Sequence, residues 1–116
     1  MSIPGDIVDL EALQELSTLL EDEFLALLSA YRTDALQHID GMKAALVERE
    51  ATKLRNHAHS LKGSSANVYA RSLAACCETL EHDALAGNLD QAASQIQEIE
   101  QKLHTVLDVF KNNGWL

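Results

Sequence analysis

Little in this chain would break a helix. It has one proline, Pro4, and five glycines in 116 residues, and Pro4 and Gly5 are the only strong breakers before Gly41. No alternation of apolar and polar residues persists long enough to mark a strand, so the chain reads as helices joined by short turns. Long apolar runs are missing as well. Nothing approaches the roughly 18 residues of a membrane span, and no signal-peptide pattern opens the chain. Cysteine is confined to Cys76 and Cys77, which are adjacent and cannot form an ordinary disulfide with each other inside a helix. The setting expected from these absences is the reducing cytoplasm, away from membranes. Basic residues are few: 9 Lys and Arg stand against 18 Asp and Glu, for a net charge of -9. Nucleic acid, which needs a broad basic surface to offset many phosphates, is not an expected partner. No ATP-binding loop, metal-ligand box or catalytic carboxylate pair appears either.

What is present is amphipathic helix. The length suits a single domain, residues 1–116, with one core. Asp9 is placed to cap a short first helix ending near Ser17. A long second helix is expected over about residues 20–48, where Phe24, Leu27, Leu28, Tyr31, Ala35, Ile39, Met42 and Leu46 keep a three-four spacing. Its acidic start, Glu21-Asp22-Glu23, suits a helix N-terminus. A third helix begins near Thr52, after a boundary around residues 49–51 that no Gly or Pro marks. A fourth spans about residues 70–86 and buries Leu73, Cys76 or Cys77, Leu80 and Ala84. Gly87-Asn88 stops it, and Asp90 is the expected cap of a last helix. That helix buries Ala93, Ile96, Ile99 or Leu103, Val106, Leu107 and Phe110, and ends at Asn112-Asn113-Gly114. Trp115 either folds back on the helices or frays. The simplest packing is an all-α, antiparallel up-down four-helix bundle with a short additional N-terminal helix.

The third helix carries the chemistry. At about 100° per residue, Leu54, Ala58, Leu61, Ser65 and Val68 form one mostly apolar stripe. Arg55, His59, Lys62 and Ala66 form another, about 100° or more away, with Gly63 on its border. His59 is thus expected to face water with a lysine one turn along. Between Glu50 and Glu78 there is no acidic residue, while Lys53, Arg55, Lys62 and Arg71 lie in that interval. Such a local positive field on an acidic protein suits a bound anion, although four charges can also cluster by chance on a solvated face.

The run His59-Ser60-Leu61-Lys62-Gly63-Ser64-Ser65 resembles the signature of the histidine-containing phosphotransfer (HPt) family of bacterial two-component phosphorelays. That signature reads His, any residue, Leu, Lys, Gly, two small residues, two of any kind, an apolar residue, Gly, Ala. His59, Leu61, Lys62, Gly63, Ser64, Ser65, Val68 and Ala70 fit it, and Tyr69 stands where the second glycine is usual. The resemblance implies a free-standing phosphorelay carrier. His59 would take a phosphoryl group from a receiver-domain aspartate and pass it to another, without autonomous kinase activity. Its partners would be the receiver domains of response regulators and of hybrid sensor histidine kinases. The receiver would bring the Mg²⁺, so the chain itself needs no cofactor, and a monomer is expected. Lys62 would neutralise phosphoryl charge, and bare backbone at Gly63 would admit the partner closely. Docking would centre on Arg55, His59, Lys62, Gly63 and Ala66, flanked by Gln37 and Gly41 of the second helix. The alternative is a helical adaptor that binds a receiver or partner helix without carrying phosphate.

The other candidates are weaker. With a turn near residue 50, Gly41 and His59 come to similar heights, so Gly41 either leaves space beside His59 or is merely tolerated. His57 lies about 200° from His59 and reads as a packing residue. A zinc site from His57, Cys76 and Cys77 is disfavoured, because adjacent cysteines diverge by about 100° on a helix. His38, His82 and His104 read as isolated surface residues.

Overall fold

The computed structural model describes residues 7–116. Among them are five helices and no strand: α1 (Leu10–Leu20), α2 (Asp22–Val47), α3 (Ala51–Asn67), α4 (Arg71–Leu85) and α5 (Ala92–Asn112). Asp9 caps α1 as its side chain allows, with Oδ1 accepting the Ala12 N–H at 3.0 Å. This satisfies one of the open donors of the first turn. The helix runs past the expected stop at Ser17 to Leu20, and the chain turns on Glu21 alone, at φ +51°. α2 therefore begins at Asp22, with Asp22 and Glu23 in its first turn against the positive end of the helix dipole.

Four helix ends share one closing geometry. The residue after the cap adopts positive φ, and the next N–H reaches back five residues to a carbonyl: Glu50 to Ala45, Ala70 to Ser65, Asn88 to Asp83 and Trp115 to Phe110, all at 2.9 Å. Gly87 and Gly114 occupy the left-handed position twice, as expected of this cap. Arg49 (φ +57°) and Tyr69 (φ +61°) occupy it in the other two, where an L side chain costs on the order of 1–2 kcal/mol. The boundary after α2 thus carries no glycine because Arg49 takes the strained position itself. Tyr69 does the same after α3, and this is why a glycine would suit its place. The cap of α5 is Gln91, not Asp90; the Asp90 N–H is instead taken by Asn88 Oδ1 at 3.1 Å.

The helices α2, α3, α4 and α5 touch in cyclic order around a single core, and α1 packs on α2. Phe24, Leu28, Ile39 and Met42 from α2 meet Leu54 and Leu61, Leu73 and Leu80, and Ile99, Leu103 and Phe110 from the others. Four apolar expectations shift. Leu27, Leu46 and Leu107 are only half-buried, Ala45 is buried, and Ala92 replaces the exposed Ala93, which lies about 100° off the buried face of α5. On α4 it is Cys77 that is buried and Cys76 that is half-buried. Trp115 folds back: its ring meets Phe24 edge-on, centroids 5.0 Å apart. Ser65, the buried polar residue of the α3 stripe, bonds the Tyr31 hydroxyl at 2.8 Å.

Candidate functional site

Packing gives α3 three distinct sides. Leu54, Ala58, Leu61, Ser65 and the cap residue Val68 are buried, as their spacing requires. One flank meets α4 and carries His59 and Lys62; the other meets α2 and carries His57. His59 is open to solvent, with 65% of its side chain exposed. Its Nδ1 lies 2.7 Å from Glu81 Oε2 on α4, and Lys62 Nζ lies 2.7 Å from Oε1 of the same carboxylate. Glu81 is itself only 13% exposed. A carboxylate can only accept, so Nδ1 carries the proton and Nε2 is the free nitrogen of the neutral ring. The Lys62 ammonium, then the His59 ring, hold the Glu81 carboxyl below the usual carboxylate range. In return Glu81 raises the Lys62 pKa. The site is a nucleophilic nitrogen, a cation and a carboxylate that orients both.

Glu81 was not visible as a site residue in the sequence. The acid-free interval ends at Glu78, and a positive field was expected around His59. Packing brings Glu81 back across from α4, so Lys62 is already paired and the field is offset. A signal existed, since reflecting the chain about the turn at residues 69–70 places position 59 opposite residue 80 or so on an antiparallel neighbour.

Gly63 is exposed, and a Cβ built on it would meet nothing within 4 Å. Close helix packing therefore does not explain this glycine. Ala66 is exposed and Arg55 half-buried on the same stripe, which leaves low relief beside the imidazole. Of the two readings of Gly41, neither space beside His59 nor mere tolerance describes its place in the structure. Gly41 is level with this part of α3 but lies under the ring of His57, where a Cβ would collide; it faces the opposite flank from His59. Gln37 is exposed on α2. His38 is not isolated either, because its Nδ1 lies 3.0 Å from His57 Nδ1. His82 and His104 are exposed as expected. Cys76 Sγ contacts Glu98 Oε1 at 2.9 Å on the α4–α5 side, whereas His57 lies against α2.

Comparison with known proteins bears on the family and the fold. The family profile described as Hpt domain matches residues 26–109. The crystal structure of histidine-containing phosphotransfer protein B (HptB) from Pseudomonas aeruginosa PAO1 superposes with a TM-score of 0.90 at 35% identity, covering 97% of this chain and 96% of that one. No curated protein sequence matches the chain.

Proposed function

This chain belongs to the Hpt family, and from that footing we propose that it is a phosphorelay carrier with His59 as its phosphoryl acceptor. The observation that carries the reading is the exposed imidazole whose Nδ1 is engaged by Glu81, leaving Nε2 for attack. In the proposed step the Nε2 lone pair forms a bond to the phosphorus of a receiver's aspartyl phosphate. The P–O bond to the aspartate breaks, and the carboxylate leaves with its electron pair. The ring becomes positively charged as this happens, and Glu81 stabilises that charge through Nδ1–H. Such transfer depends on positioning and charge neutralisation. Lys62 supplies a cation within reach of the phosphoryl oxygens, at the cost of loosening its pair with Glu81.

The partners in this reading are receiver domains of response regulators and hybrid sensor histidine kinases, and the receiver brings the Mg²⁺. Docking centres on His59, Lys62, Gly63 and Ala66, with Arg55 at the edge. Since α4 supplies Glu81, the adjoining contact surface extends over α4 as well as toward Gln37. The exposed Leu85, one turn beyond Glu81, supplies apolar area there. The cyclic helix contacts and short turns support an antiparallel up-down four-helix bundle with α1 added to it; in this reading the carrier acts as a monomer in the cytoplasm. Among the described residues no helix is long and apolar enough to cross a membrane.

The direct test mixes the protein with a labelled, phosphorylated receiver. Label should move onto the chain as an acid-labile, alkali-stable phosphoramidate, and His59→Gln should abolish it with the helices intact. Label persisting in that variant, or label acquired from ATP by this chain alone, would overturn the reading.

A further inference from the structure

Two histidines outside the phosphoryl site face each other across the α2–α3 contact. Their Nδ1 atoms are 3.0 Å apart, with ring centroids at 5.3 Å and planes inclined by 62°. Both residues are half-buried. The His57 ring is seated against the backbone of Gly41, which leaves it no room to retreat toward α2. His38 is restrained too: its Nε2 lies 3.4 Å from Asp34 Oδ1, one turn earlier on α2. A carboxylate beside Nε2 favours the proton there and leaves the lone pair on Nδ1, the arrangement that supports metal-binding imidazoles. We propose that His38 and His57 form a two-imidazole site for a divalent transition-metal ion, which would join α2 to α3.

Imidazole nitrogens suit Cu²⁺, Ni²⁺ and Zn²⁺, and Cu²⁺ is the tightest of the three in the Irving–Williams order. Among the described residues no cluster of three or more His, Cys, Asp or Glu ligands is assembled, so water completes the coordination. The net charge of -9 favours cations at the surface. The short nitrogen–nitrogen contact requires one proton between the rings. Metal binding moves that proton to Nε2 of His57 and frees both Nδ1 lone pairs.

Titration of the whole chain with CuSO₄, NiCl₂ and ZnCl₂ near neutral pH tests the site. One equivalent of Cu²⁺ should bind, more tightly than Ni²⁺ or Zn²⁺, and its paramagnetism should broaden the NMR signals of His38 and His57 first. His38→Gln and His57→Gln should each weaken binding by on the order of tenfold or more. The broadening is read on the unaltered protein, so the test stands even if one variant folds poorly. Broadening centred on His59, His82 or His104, unchanged affinity in His38→Gln, or tighter Zn²⁺ than Cu²⁺ would each overturn the assignment.

Discussion

Glu81 Oε2 and His59 Nδ1 stand 2.7 Å apart across the α3–α4 contact, and this pair decides which nitrogen of the imidazole is free. Its removal should therefore change the tautomer as well as the rate. In Glu81→Ala the neutral His59 ring should shift toward the Nε2–H form, visible in the ¹⁵N shifts of the side chain. Phosphoryl acceptance should slow by on the order of tenfold, as losses of ring-orienting partners do elsewhere. Glu81→Gln keeps an acceptor oxygen and should fall between the two. Normal transfer with an unchanged tautomer in Glu81→Ala would remove the carboxylate from the mechanism.

The same carboxylate should leave a mark on acid stability. Its pKa is lowered in the fold, chiefly by Lys62 and then by His59. A depressed carboxyl contributes stability that is complete above its unfolded pKa and lost as pH falls through the folded one. Denaturation midpoints should therefore drop below about pH 4.5, the ordinary glutamate value, and do so less steeply in Glu81→Gln. Parallel acid profiles for the two proteins would contradict the shift.

How much of this could be read from the chain is clear at particular residues. The buried stripe of α3, the exposed His59 and the Asp9 cap follow from local spacing, because a helix face repeats on a scale the sequence shows directly. Glu81 and the His38–His57 contact do not, since each pairs residues from different helices through packing alone. The turns at Arg49 and Tyr69 were hidden for another reason. Left-handed backbone is usually announced by glycine, and here side-chain residues bear the strain.

Lys62 and Gly63 should support His59 in different ways. Lys62→Ala should slow transfer and shorten the lifetime of the phosphohistidine while receiver affinity stays nearly unchanged, because its cation serves the phosphoryl group. Gly63→Gln should slow transfer mainly by weakening docking, since it adds a long side chain to open surface. A phosphotransfer time course beside a binding isotherm separates the two. Equal affinity losses in both variants would show that the lysine is a docking residue too.

Gly63 and Gly41, which lie toward opposite flanks of α3, should respond oppositely to one extra methyl group. At Gly63 a Cβ meets only solvent, so Gly63→Ala should stabilise the fold by up to about 1 kcal/mol, the ordinary helix preference of alanine. At Gly41 the same methyl collides with the imidazole of His57. That ring is also tied to His38, so it can yield only by giving up its partner. Overpacking of this kind costs about 1–3 kcal/mol, enough to outweigh the helix gain, and Gly41→Ala should melt lower by several degrees. The loss should be largely recovered in Gly41→Ala/His57→Ala, where the colliding ring is gone and the two changes are strongly non-additive. Thermal melts by circular dichroism on the parent, Gly63→Ala, Gly41→Ala, His57→Ala and the double variant decide the matter. A Gly41→Ala chain that melts higher than the parent would mean that His57 moves aside freely and that α2 and α3 are not held together at this contact.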